Sequence, residues 1–197
     1  MLNNETGSLM VITVVLLMLL TIMGLAITTT TSIELQIAAN DRIHKTTFYA
    51  ADGATDVASE LLEQNLGCMT EGGFSSADIN TIRVLNLDFW ANRSNDPDFV
   101  SIPSDAVGDR DFVFPATAVN DPSIPHTNVT AGYNPGFSTG SAMQMVSGYE
   151  GKGKAIAAGG AYLQYEINSQ HLGIANSESI IQIQWRHMIG SEGACNH

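Results

Sequence analysis

Five aspartates crowd one stretch of the chain: Asp96, Asp98, Asp105, Asp109 and Asp111. Carboxylate oxygens are the donors Ca²⁺ prefers, and an exported protein has access to that ion, so Asp105, Asp109 and Asp111 form a candidate calcium set. Their spacing departs from the EF-hand loop, whose ligand positions are fixed by geometry. Solvated loop carboxylates are the competing reading, and the stronger one. The histidines, His44, His126, His171, His187 and His197, fall into no H-E-x-x-H or other metal-ligating spacing. No G-x-S-x-G and no P-loop occurs, and Cys195 two residues before His197 is too short a pattern for a thiol nucleophile. These residues point away from an enzyme and call for no cofactor. Asn92-Arg93-Ser94 and Asn128-Val129-Thr130 satisfy the glycosylation acceptor rule, which a chain this rich in Asn, Ser and Thr meets twice by chance.

Two cysteines, Cys68 and Cys195, lie far apart in sequence. A bond between them would close a loop of over a hundred residues, worth roughly 4–5 kcal/mol in the chain-entropy model. Two free thiols, or a bond to another chain, are the alternatives. An oxidising compartment favours the intramolecular bond.

The compartment follows from the element around which everything else is arranged. Residues 9–27 carry no charge and no proline. As a helix rising about 1.5 Å per residue they cover roughly 28 Å, close to the ~30 Å hydrocarbon core of a bilayer. A removable secretory signal has a shorter apolar core and a small-residue cleavage site, and Thr28 to Ser32 supply no A-x-A. The run reads as a membrane anchor. No Gly-Pro punctuation interrupts the next thirty or so residues, and Ile33, Ile37, His44, Phe48, Ala51, Ala58 and Leu62 recur at three- and four-residue steps. The spacing therefore predicts one helix with a membrane-spanning first part, 8–31, and an amphipathic continuation, 32–66, that docks on a soluble domain. The four-threonine run is its weak point, because β-branched residues lose rotamer freedom in a helix.

Gly7 before the anchor, then the segments TTTSIELQIAAND and FYAADGA, resemble the N-terminal region of PilX-type minor pilins of the type IV pilus family. The resemblance covers roughly residues 6–62. It implies a prepilin-type leader, residues 1–7, removed by a membrane-embedded prepilin peptidase between Gly7 and Ser8, with Ser8 becoming an N-methylated mature terminus. It also implies other pilins and an inner-membrane assembly platform as partners, and passage from the inner membrane to the pilus or cell surface, with the head periplasmic or extracellular. Major pilins carry a glutamate as the fifth mature residue; Ile12 stands there in this chain, which argues for a scarce subunit rather than a bulk building block. The leader has no Lys or Arg, whereas Arg42 and Lys45 follow the anchor.

The remaining residues, 67–197, suffice for one compact β-rich head. Gly67 is placed as a helix stop. Residues 81–91 read as a strand with a bulge, and 112–119 as an edge strand inside an otherwise irregular loop, 92–141, that holds all six prolines. Residues 141–150 read as a strand and GKGKAIAAGG as a hairpin connection. Alternation is clear at 162–167 and 180–188, where Ile181, Ile183 and Trp185 interleave with Gln182, Gln184 and Arg186. The expected fold is α+β and pilin-like, with the long helix on an antiparallel sheet.

A net charge of −12, with eight scattered Lys and Arg, argues against nucleic-acid binding through the chain's own charge, which needs a basic stripe. The resulting function is a structural and assembly subunit of a type IV pilus. A pseudopilin of a type II secretion system and a membrane-tethered binding or adhesion module are the alternatives, the latter served by the proline-rich loop.

Overall fold

The computed structural model describes residues 5–66, 78–79, 81–139 and 160–189. They form two compact units, one reaching Ile43 and one spanning His44–His197. One helix, α1 (Glu5–Leu66), contributes to both. In the first unit the helix is the whole structure, and the side chains of residues 7–42 are all exposed within the chain.

In the second unit the C-terminal part of α1 lies on a six-stranded antiparallel sheet: β1 (Asp78–Ile79), β2 (Ile82–Val84), β3 (Phe112–Phe114), β4 (His126–Phe137), β5 (Ala161–Leu172) and β6 (Glu178–Met188). The spatial order is the sequence order, a simple meander. This is the α+β layout expected from the sequence. Helix burial begins at Thr47 and runs through Ala51, Ala54, Thr55, Ala58, Leu61, Leu62 and Leu66. Those steps of three and four define a stripe whose small residues let the backbone come close to the sheet. The stripe differs from the one expected: Phe48 is 42 % exposed, and Ile33 and Ile37 are also uncovered. The buried face runs through Thr47, one position before Phe48, and continues through Ala51, Ala54 and Ala58 to Leu61, Leu62 and Leu66.

The core gathers Leu62 with Phe89, Phe112, Val129, Tyr165 and Ile167. Across the sheet, Tyr133, Tyr165 and Trp185 stand in register on β4, β5 and β6, with successive ring centroids 5.9 Å apart. His187 extends the row and meets Glu63 of the helix at 3.1 Å. The Tyr165 hydroxyl donates to the Trp90 carbonyl at 2.7 Å, which lets a phenol sit at zero exposure.

Three sequence expectations are corrected here. Residues 81–91 are not one strand: the chain is extended only in β2, then turns so that the N–H groups of Leu85 and Asn86 both donate to the Asp111 carbonyl, and a 3₁₀ turn, Phe89–Ala91, drives Phe89 into the core. The apolar alternation there marked burial, not extension. Residues 112–119 are not an edge strand: β3 lies between β2 and β4, and Ala116–Val119 is a 3₁₀ turn. The loop assigned to 92–141 contains β4, a twelve-residue strand paired along its full length with β5. Pro135 argued against such a strand. The structure accommodates it because β3 pairs only with the start of β4, at Thr127 to Val129. The N–H groups of Ala131 and Tyr133 point away from β5, toward Asp111 and Asn92. By strand periodicity the donor missing at Pro135 falls on that same open side. Gly132 also disguised the strand; an added Cβ would lie 2.6 Å from the Phe99 ring, so glycine is what admits that ring onto the sheet. The strand expected at 141–150 and the connection after it lie outside the described residues.

Candidate functional site: the anchor helix and an acidic cleft

Residues 9–27 present leucine, isoleucine, valine and methionine around the whole helix, so the segment has no polar face to turn toward water. A helix apolar all round is at home in lipid, provided its hydroxyls are satisfied internally. They are. Thr28 donates to the Gly24 carbonyl at 2.8 Å, Thr29 and Thr30 to Ala26 at 2.9 and 3.0 Å, and Thr31 to Ile27 at 3.0 Å. Thr13 and Thr21 do the same to Met10 and Met18. The four-threonine run is helical throughout, with each hydroxyl bonded back to a carbonyl one turn earlier. Gly7 and Ser8 lie near the start of the same helix, and the space beside the Gly7 Cα is open.

Two polar networks fix the loop between β2 and β4 to the sheet. In the first, Asp105 Oδ1 accepts from Arg110 Nη1 at 3.0 Å, His126 Nε2 at 2.7 Å and Asn128 Nδ2 at 2.9 Å. Arg110 also donates to Asn128 Oδ1 at 2.7 Å, and Asn128 reaches Gln170 and through it Glu178. Burial raises the Asp105 carboxyl pKa, but the Asn128 and His126 hydrogen bonds and the positive charges of His126 and Arg110 outweigh it, so the net shift is downward. In the second network, Asp111 is 5 % exposed and accepts from Asn86 Nδ2 and Asn92 Nδ2, both at 2.9 Å, through Oδ1, and from the Ala131 N–H at 2.8 Å through Oδ2. Burial pushes its carboxyl above the usual carboxylate range, and the three donors pull against that shift. Above Asp111 opens a cleft of about 390 Å³, lined among others by Asn92, Arg93, Asp96, Asp98, Phe99 and Val100.

An exposed, fully apolar helix of membrane-spanning length, continued into a helix packed on an antiparallel sheet, is the layout of a pilin-like subunit. Residues 7–56 match the PilX N-terminal family model. The matched segment lies wholly within α1 and contains the Gly7–Ser8 junction, the anchor and the first buried positions of the head. No curated protein and no solved structure matches the chain. The PilX N-terminal match and the anchor together fit a membrane-anchored, pilin-like structural protein.

Of the residues singled out from the sequence, Asp105, Asp109 and Asp111 are not brought together. Asp105 and Asp111 anchor the two separate networks, and Asp109 accepts from Ser104 Oγ at 2.7 Å. Among the described residues no three His, Cys, Asp or Glu side chains gather at metal-binding range. Asn128 is fully buried and the Asn92 amide is held by Asp111, so neither acceptor sequence presents a free amide. Cys68 and Cys195 lie outside the described residues. The sequence reading missed Arg110, His126 and Asn128 as structural polar residues. The signal was the run His126-Thr127-Asn128, three polar residues in succession, all buried, at the start of an unrecognised strand.

One pH effect follows. His171 donates to or accepts from Thr127 Oγ1 at 2.7 Å, and burial, with the His126 charge adding to it, lowers its pKa. The folded head therefore holds this ring neutral while the unfolded chain still binds a proton below about 6.5. That stability is present above about 6.5 and is lost as pH falls from there through the folded value. The melting temperature of the full chain in detergent is expected to fall between about pH 7.5 and 5.5. In His171→Gln that part of the fall should vanish; an unchanged slope would assign it elsewhere.

Proposed function

We propose that this chain is a minor pilin of a type IV pilus, a structural and assembly subunit that joins or primes the filament through its N-terminal helix. The observation that carries the reading is the exposed apolar helix within the segment that matches PilX N-terminal sequences. Its side chains have no partner surface inside their own unit, so a bilayer first, and then the helices of neighbouring subunits, would cover them. Prepilin peptidase would cut between Gly7 and Ser8, where the absence of a side chain leaves the backbone open to a protease.

The test is the intact mass and N-terminal peptide of the protein recovered separately from membranes and from sheared surface filaments. A terminus at Ser8, methylated and present in the filament fraction, is the expected result, and Gly7→Asp should accumulate as uncut precursor. A protein starting at Met1 and confined to membranes, or normal processing of Gly7→Asp, would overturn the proposal. The same reading expects a Cys68–Cys195 bond in the oxidising compartment, seen as two thiols that react with an alkylating reagent only after reduction.

A further inference from the structure

The docked face of α1 is uneven along its length. From Thr47 to Thr55 its buried side chains are Thr47, Ala51, Ala54 and Thr55, whereas the last turns bury Leu61, Leu62 and Leu66. Hydrophobic stabilisation follows the apolar area covered, so the first stretch is held less firmly than the second. The sheet opposite adds to the difference. By strand alternation Ser169 shares the face of Tyr165 and Ile167, and it lies toward the end of β5 where Thr47 docks. Its hydroxyl is sealed from solvent and has no hydrogen-bond partner among the described residues, so it keeps a desolvation penalty that water would remove if the helix lifted. Thr47 Oγ1 and Ser177 Oγ share a hydrogen bond of 2.9 Å, but Ser177 follows a costly turn: Ala175 and Asn176 stand at φ 56° and 57°, where a β-carbon is crowded. Between the two stretches lies Gly53, exposed and inside the helix, where an added Cβ would meet nothing within 4 Å. Packing does not call for glycine there, and its backbone freedom weakens the helix.

We propose that the turns from Thr47 to Gly53 form a latch that lifts from the sheet on its own, the helix yielding at Gly53, while Ala58 to Leu66 keep the core closed. Lifting uncovers little apolar surface, hydrates the Ser169 hydroxyl and releases the turn that ends at Ser177. A short helical segment without its packing is marginal in water, so the amides of the open latch lose their protection. The head thereby has two arrangements of its first docked turns above one intact core. The latch belongs to the head alone, so this inference goes beyond the pilin reading and does not depend on it.

The test follows amide hydrogen exchange of the full chain in detergent micelles, with peptides that separate residues 47–53 from 58–66. After correction for intrinsic rates, the amides of 47–53 are expected to exchange at least about thirtyfold faster than those of 58–66. Their exchange should depend little on urea, because a local opening exposes little surface. Gly53→Ala, on the open side of the helix, should slow exchange in 47–53 by about fivefold. Ser169→Ala, which removes the unpaired hydroxyl, should slow it by at least about fivefold. Equal protection of the two segments, a urea dependence as steep for 47–53 as for 58–66, or an unchanged rate in either variant would each overturn the proposal.

Discussion

Asp111→Ala is expected to destabilise the head by about 3–5 kcal/mol. The side chain is nearly sealed from solvent and takes three N–H donors: two asparagine amides from the segment after β2 and the backbone of Ala131 in β4. Removing it leaves the Ala131 N–H without an acceptor in the interior and both amides without their shared anchor. Hydrogen bonds to a charged acceptor are each worth about 1.5–3 kcal/mol, and three on one carboxylate do not add in full. Asp111→Asn should recover little, since an amide turned to accept from Asn86 and Asn92 points its own N–H groups at the Ala131 donor. Thermal unfolding of the full chain in detergent should show a drop of roughly 10 °C for a domain of this size. A change within about 0.5 kcal/mol, the scale of an ordinary surface substitution, would mean the network contributes nothing net.

Leu62→Ala comes second in size, at about 2–5 kcal/mol. Leu62 is fully buried in the core that joins the helix to Phe112, Val129 and Tyr165, between Ala58 one turn before it and Leu66 one turn after. Deleting its branched end opens a cavity beside Ala58 that Leu61 and Leu66, already packed in the same core, close only in part. Denaturant midpoints report the loss. Leu35→Ala, at a position 67 % exposed, should leave the same midpoint within about 0.5 kcal/mol. A Leu62→Ala protein as stable as its parent would show that the helix docks mainly through the alanine stripe and the Glu63–His187 contact.

The anchor was legible because absence of charge over nineteen residues has few physical readings. The β5–β6 hairpin was legible because its outer strand alternates cleanly, Ile181, Ile183 and Trp185 against three polar residues. Strand β4 was hidden for definite reasons. Its first residues are buried and polar, so burial left no apolar signature, and its later residues include Gly132, Pro135 and Gly136, each tolerated by a circumstance invisible in one dimension. Proximity in sequence likewise said nothing of Asp105 and Asp111 being claimed by separate sets of donors, Asn128 for the one and Ala131 for the other, two points along β4. The cleft was illegible because its walls come from separate turns of the proline-rich segment.

The meander has a consequence for the order in which the head can fold. Among the described residues each strand hydrogen-bonds only to the described strand before and the one after it, so that ladder pairs neighbours along the chain. Sequence separation between contacting residues, which slows folding when large, is concentrated instead in the helix–sheet seam, where Thr47 meets Ser177 and Glu63 meets His187. A chain delivered from its N-terminus can thus zip strand upon strand as it emerges, with the loop-closure cost of the long seam deferred until β6 arrives. Until that last hairpin closes, the helix that must carry the subunit has no finished head to hold.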